Sequence, residues 1–402
     1  MGELSSTEQE AVERASAEPM LAQVESWAAV NSGTANLDGL KVMADLLVDA
    51  FSALPGEIAL KDAAPTESVD PDGSTRPIAH GRNLHLKVRS DAPVQLLLTG
   101  HMDTVFAADH PFQALTWIED GVLGGPGVAD MKGGIACMLA ALKAVEASPA
   151  APGIGYEVII NSDEEVGSPG SAALIAQVAA GKKAALTYEP AALPDGTLAG
   201  ARPGSGNFSF VITGRSAHAG RNPEDGRNAV VAAAELALRL AHSKTPGLSV
   251  NPAKIDGGSP NNVVPDRAVL RVNMRPATGD DQEIATRLIF NAVEQTATAH
   301  GVHIDVHGGF GRPPKPMTAE AEVLFKLVRR AGADLGQDID WKSTGGVCDG
   351  NNIAACGVPV VDTMGVRGGK IHSVEEYLIV ESLAERAALS ALTILRLAQG
   401  GA

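Results

Sequence analysis

Two kinds of apolar period alternate along this chain. In residues 20–29 and 37–51 the apolar side chains return every three or four positions (Leu37, Leu40, Leu47, Phe51), which predicts two helices with one buried face. VQLLLTGHMD (94–103) is a short apolar run that stops at Gly100 and predicts a buried strand. GGIACMLAALKAVEA (133–147) goes back to helical spacing at Ile135, Met138, Leu139, Leu142 and Val145. YEVIINSDEE (156–165) reads as a strand, SAALIAQVAA (171–180) as a helix and AALTYEP (184–190) as a further strand. Strand–helix alternation of this kind predicts a sheet covered by helices on both faces.

Near residue 199 the rhythm changes. FSFVITG (208–214) predicts a strand and NAVVAAAELALRLAH (228–242) a helix. Strands follow at 253–255 and 268–275, a helix at 282–300 and a strand at HIDVHG (303–308). The order β-α-β-β-α-β is that of the split, ferredoxin-like unit. RPPKP (312–316) reads as an exit linker, after which helix and strand alternate again. The expected organisation is therefore an α/β domain of residues 1–198 and 315–402 that carries a small inserted α+β domain at 199–314. A length of 402 residues fits two domains better than one.

Composition narrows the function. Hydrophobic residues are 45% and charged residues 20%, and no apolar run approaches the ~20 residues of a membrane helix. The first residues, MGELSSTEQEAVERASAEP, lack the basic start and apolar middle of a secretory signal, so a cytoplasmic location is expected. Cys137, Cys348 and Cys356 are three and form no CxxC, which speaks against a disulfide framework and a thiolate metal site. The formal charge of −16 would repel nucleic acid and anionic lipid, so neither is an expected partner.

The candidate chemistry stands where apolar strands end, the place where open α/β sheets gather ligands. His101 and Asp103 follow the first strand; a carboxylate beside an imidazole fixes the tautomer of a metal-binding histidine, although a turn histidine with a capping aspartate reads as easily. Asp130 lies in GGPGVADMKGG just before a helix. A phosphate loop is the alternative there, but GxxxxGK[ST] is absent and the dinucleotide glycine pattern is incomplete. Asp163, Glu164 and Glu165 are adjacent acids that repel one another unless cations are near; a solvated acidic turn is the plainer reading. Glu189 ends another strand, and His372 lies between a glycine turn and a helix start. Taken together, His101, Asp130, Glu165, Glu189 and His372 are a nitrogen and oxygen ligand set suited to zinc, with cobalt or manganese as substitutes.

The motifs HMDTV, GVADMKGG, SDEEVGS, YEP, GRSAHAG, NVVPD and IHS occur in an order that resembles the two-zinc aminoacylase and glutamate carboxypeptidase family of metallopeptidases, over nearly the whole chain. That family also contains acetylornithine deacetylase, succinyl-diaminopimelate desuccinylase and several dipeptidases. The resemblance implies a zinc-peptidase-like catalytic domain, a mixed sheet flanked by helices, with an inserted lid that makes a homodimer. It implies one zinc on His101 and Glu189 and a second on Glu165 and His372, with Asp130 bridging and Asp103 orienting His101. Glu164 takes the place of the general base. His218 matches the lid histidine that reaches the partner subunit's site. Asn262 and Arg275 match lid residues that contact substrate, and Arg312, with Arg367 as its competitor, matches the arginine that holds a substrate carboxylate.

The implied activity is hydrolysis of an amide bond next to a free carboxylate, in an N-acyl amino acid or dipeptide-like substrate. A deacylase of the acetylornithine or succinyl-diaminopimelate type is the nearest alternative. A catalytically dead metal-binding regulator and a nucleotide-binding enzyme are the rivals from other classes; intact ligands and Glu164 count against the first.

Overall fold

A computed structural model gives the structure, which describes residues 4–400. The chain opens with helices α1 (Ser6–Ala17), α2 (Met20–Ala28) and α3 (Leu37–Phe51). Ser5 caps α1 in a reciprocal box with Glu8, and the Asn36 side chain accepts from Gly39 N at the start of α3. Strands β1 (Glu57–Lys61), β2 (Asn83–Val88) and β3 (Val94–His101) follow, then helix α4 (Gly133–Glu146), β4 (Ile154–Asn161), α5 (Ala172–Ala179) and β5 (Ala184–Thr187).

The chain then crosses into a second unit: β6 (Ser205–Thr213), α6 (Ala229–His242), β7 (Leu248–Gly257), β8 (Arg267–Pro276), α7 (Gly279–His300) and β9 (His303–Arg312). It returns through α8 (Ala319–Asp334), α9 (Asp349–Ala355), β10 (Val360–Val361) and α10 (Glu381–Ala398). The way in and the way out run side by side, because Arg202 and Lys315 exchange backbone hydrogen bonds of 2.9 and 3.0 Å. RPPKP is thus paired chain and not a free linker.

The main sheet has the order β1-β2-β4-β3-β5-β10. Its centre is parallel, β4 with β3 and β3 with β5, and its far strands β1 and β2 are antiparallel. Parallel strands need both faces covered, and helices supply that cover. Helix α4 lies deepest: it is buried on nearly every side against α1, α2 and α10, which is why its sequence is apolar almost throughout. The second sheet, β7-β8-β6-β9, is antiparallel and packs its own core with α6 and α7, from Phe210 and Ile212 to Leu236, Leu240 and Ile289. This is the ferredoxin-like order, and the fold class read from the sequence holds.

Some elements run longer than their sequence pattern. β7 begins at Leu248 where the pattern places 253, because Pro252 interrupts the alternation; the register shifts between Pro252 and Lys254 and the strand continues through the bulge. β9 runs on through Gly308 and Gly309 to Arg312. A polar hairpin, Thr66–Val69 with Thr75–Ile78, reaches the second unit, where Arg267 donates to Asp72 O and Arg271 to Val69 O. Among the described residues no helix is long and apolar enough to cross a membrane.

Candidate metal centre

Three neighbouring parallel strands aim their carboxyl ends at one place. His101 ends β3 opposite Asn161 at the end of β4, and Glu189 follows β5 by two residues. Gly134, near the start of α4, allows the helix to approach this rim: a β-carbon there would lie 2.0 Å from Tyr188 O. A separate small sheet, beside the main one, delivers Asp130 and His372. Its strands Val122–Gly124 and Tyr377–Ile379 pair antiparallel, so the loop before α4 with Asp130 and the turn with His372 emerge side by side. Gly127 turns the Asp130 loop at φ 73°, where a β-carbon would also meet Thr104. His372 itself sits at φ 61°, a conformation that costs a residue with a β-carbon on the order of 1 kcal/mol and that the neighbouring pairs enforce.

The geometry centres on Asp130. Its Oδ1 lies 3.1 Å from His101 Nε2 and its Oδ2 3.3 Å from His372 Nε2. Glu189 Oε2 is 3.7 Å from His101 Nε2, on one side, and Glu165 Oε2 is 3.0 Å from His372 Nε2, on the other. Ligand atoms of His101, Asp130 and Glu165 fall within 4.8 Å of one another, as do those of His101, Glu164 and Glu189. His101, Asp130 and Glu189 are buried, Glu164 and Glu165 are half-buried, and His372 faces solvent.

Electrostatics mark the same point. Burial pushes the carboxyls of Glu164 and Glu189 up to about 8 and that of Glu165 up to about 7, with neighbouring acids adding to the effect. Hydrogen bonds from His101 and His372 outweigh burial at Asp130 and hold it low. The hydrogen bonds to Asp130 and Glu165 raise His372 to about 11, and at His101 burial is overcome by Glu189, Asp103 and Asp130. Protons thus hold together a cluster whose carboxylates call for positive charge. Two imidazoles and three carboxylates, with one Asp130 oxygen turned to each histidine, fit a pair of divalent cations, each ligated on its own side of that carboxylate.

Asp103 has a second connection that its spacing does not reveal. His101 Nδ1 lies 3.0 Å from Asp103 O and 3.4 Å from its carboxylate, while Asp103 Oδ1 and Oδ2 accept from the backbone N–H groups of Glu164 and Glu165 at 3.1 and 3.2 Å. One buried carboxylate therefore sets the histidine and the acidic loop together. Glu376 does the same for Asp130: its carboxylate accepts from Gly127 N, Ala129 N and Asp130 N at 3.0–3.2 Å. Nothing in the sequence marks Glu376, four residues after His372: in SVEEY it reads as one more exposed acid. Asp349, which accepts from Asn161, Ser168 and Arg312, is marked only by its place directly after an apolar VC step.

Two clefts open onto the centre. One, of about 470 Å³, is walled by Pro190, Ala191, Ile371 and Tyr377; the other, of about 1040 Å³, lies under the second sheet with Asn207, Asn251 and Arg275 on its roof. Both reach Glu164 and His372. Arg275 is exposed and donates to Gly345 O across the cleft at 2.9 Å. Arg312 is buried and its guanidinium is engaged by Glu164 and Asp349. Arg367 lines neither cleft; it donates to Pro194 O and to Glu381 and Glu385. His218 and Asn262 are exposed neighbours in the second unit, joined by a bridge of His218 to Val263 and by Ala219 N to Asn262 O at 2.9 Å, and neither lines the clefts of its own chain.

Comparison with known proteins points the same way. The model of the family described as peptidase family M20/M25/M40 matches residues 97–396. Carboxypeptidase G2 of Pseudomonas sp. (strain RS-16) is 31% identical over 80% of this chain and 78% of its own. A succinyl-diaminopimelate desuccinylase of Psychrobacter arcticus is 27% identical over 76% and 78%. Among solved structures, aminopeptidase PepT of Bacillus cereus superposes with a TM-score of 0.70 at 25% identity, covering 96% of this chain and 99% of that one.

Proposed function

This chain belongs to peptidase family M20/M25/M40 and is a metallo-hydrolase; from that premise we propose that it cleaves an amide bond next to a free carboxylate, in an N-acyl amino acid or dipeptide-like substrate. The observation that carries the reading is the division of Asp130 between two histidines, each backed by its own glutamate. His101 and Glu189 would hold one cation and His372 and Glu165 the other, with Asp130 offering an oxygen to each side. Zinc suits these donors best, with cobalt or manganese as substitutes. A cation pair supplies Lewis acidity and a water of lowered pKa.

The protein's own groups do the rest. Glu164, at the mouth of both clefts, takes a proton from the attacking water as its oxygen bonds to the carbonyl carbon. When the C–N bond breaks, Glu164 returns that proton to the departing amine, so acid and amine leave with atoms and charge balanced. Asp103 keeps Glu164 and Glu165 in register through their backbone amides. Arg275 in the polar cleft is placed to meet the substrate's carboxylate, while the cleft walled by prolines and alanines takes the acyl side.

The unit of residues 199–314 acts as a lid and dimer contact, in a cytoplasmic homodimer. Two features support this: β7 is an edge strand, and α6, packed on it, exposes Val231 and Leu238 at 51% and 60%. In the dimer, His218 and Asn262 serve the partner's site. A panel of N-acyl and aroyl amino acids beside their C-terminal amides tests the proposal. Free acids are expected to be hydrolysed and amides refused, and Glu164→Gln is expected to keep its metal while kcat falls about 10²–10⁴-fold. Equal turnover of acids and amides, or near-normal activity in that variant, contradicts it.

A further inference from the structure

Arg312 is the last residue of β9, where it pairs with Ser205 at the start of β6, and it is 3% exposed. Its guanidinium forks between two carboxylates. Nη2 donates to Glu164 Oε1 at 2.7 Å, to Ser168 Oγ at 3.0 Å and to Glu164 O at 3.3 Å. Nη1 donates to Asp349 and, at 2.8 Å, to Asn352 Oδ1. Asp349 is itself fixed, accepting from Asn161 Nδ2 at 2.9 Å and Ser168 Oγ at 2.5 Å. Arg312 lines the larger cleft, but both Nη groups are taken by Glu164, Ser168, Asp349 and Asn352, so a substrate carboxylate could grip the guanidinium in two places only by displacing one of these partners, and displacing Glu164 or Asp349 would leave a buried acid without its counter-charge.

We propose that Arg312 is a positioning residue for Glu164 and not the clamp for the substrate's carboxylate. Asp349 anchors one edge of the planar fork, and the other edge holds the Glu164 side chain and its backbone carbonyl at once. A lysine in this place keeps the charge but has no fork with which to hold both carboxylates. Arg312 belongs to the strand that ends the second unit and Glu164 to the catalytic loop, so the contact also ties the base to the junction between the two. The inference rests on Glu164 being the base, and the test separates the two claims.

The experiment compares Arg312→Lys and Arg312→Gln with the unsubstituted enzyme, alone and combined with Glu164→Gln, in fully metal-loaded protein. It reads kcat and KM for an N-acyl amino acid and its carboxamide, calorimetric Kd for the product amino acid, and metal content. For a positioning residue, kcat falls by on the order of a hundredfold, as for a catalytic group displaced by about an ångström. KM and product Kd then stay within about threefold, the preference for acid over amide persists, and metal content is unchanged. Added to Glu164→Gln, either substitution costs little more, because the group that it positions is already gone. A product Kd and KM raised about tenfold or more with kcat kept, and a lost acid-over-amide preference, mark a substrate clamp and overturn the proposal. An active Glu164→Gln enzyme refutes the base itself, whatever Arg312 does. If the Arg312 variants fail to fold, Asp349→Asn loosens the fork from its other side. It is expected to lower kcat with KM and product Kd kept; unchanged kcat there overturns the proposal.

Discussion

Each oxygen of Asp130 faces a different histidine, and burial raises the acids on either side above the ordinary carboxylate range. The sign of the pH dependence without metal follows. Glu164, Glu165 and Glu189 have folded pKa values raised above the ordinary 4.5, to about 7–8, and His372 is raised above 6.5 to about 11. The folded apo-protein therefore binds more protons than the unfolded chain. The carboxyl contribution is complete below about pH 4.5 and is lost as pH rises through 7–8, and that of His372 is lost as pH rises from 6.5 towards 11. Thermal melts in chelator are expected to fall between pH 5 and 8, and added divalent cation should flatten the slope by replacing the protons. Parallel melting curves with and without metal contradict this. His101, Asp130, Glu165, Glu189 and His372 were legible because each is a polar residue where an apolar run or glycine turn ends. The roles of Glu376, Asp349 and the Asp103 carboxylate were not, because they hold backbone amides and a guanidinium from distant segments, which spacing does not encode.

At the scale of the element, α4 and β5 decide whether the rim closes. Gly→Ala inside a helix ordinarily stabilises by up to about 1 kcal/mol. At Gly134 the added carbon would lie 2.0 Å from Tyr188 O, next to Glu189, and backbone on both sides has little room to move. Overpacking of this kind costs about 1–3 kcal/mol and outweighs the helical preference. Gly134→Ala is expected to lower the denaturation midpoint and to weaken metal binding on the Glu189 side. Gly153→Ala, whose added carbon meets nothing within 4 Å, should stay within about 0.5 kcal/mol of the parent. Equal stability of the two variants would show that the approach of α4 to β5 is not tight. The long periodic elements were legible: α3, α4 and α6 follow the sequence pattern within a residue or two at each end. Most of what escaped was short or edge-like, though the polar helix α1 and the inner strand β2 escaped as well. β1 is five residues long with no fully buried position, the 66–78 hairpin is mostly polar and partly exposed, and the strands that deliver Asp130 and His372 are two to four residues long, too brief for any period.

The whole molecule combines a negative surface, at a formal charge of −16, with a centre built to concentrate positive charge. An anionic substrate of the proposed kind would then be drawn to the metal-loaded centre and to Arg275, not to the surface at large. Assembly is the second consequence at this scale. His218 and Asn262 line neither cleft of their own chain, so the catalytic part proposed for them would have to be played across a dimer. Subunits carrying His218→Ala and subunits carrying His101→Ala, each nearly inactive alone, should recover up to about a quarter of parental activity when exchanged, because one of the two sites in each mixed dimer, and half of the dimers, would be whole. No recovery after verified exchange argues against the contribution in trans.

The most direct measurement is the metal content of the parent and of Asp130→Asn after loading and dialysis, by elemental analysis. Two cations per chain are expected in the parent. Fewer than one are expected in the variant, because an amide offers one acceptor oxygen where the carboxylate has two. A parent that retains none, or a variant that still holds two, contradicts a centre organised around Asp130.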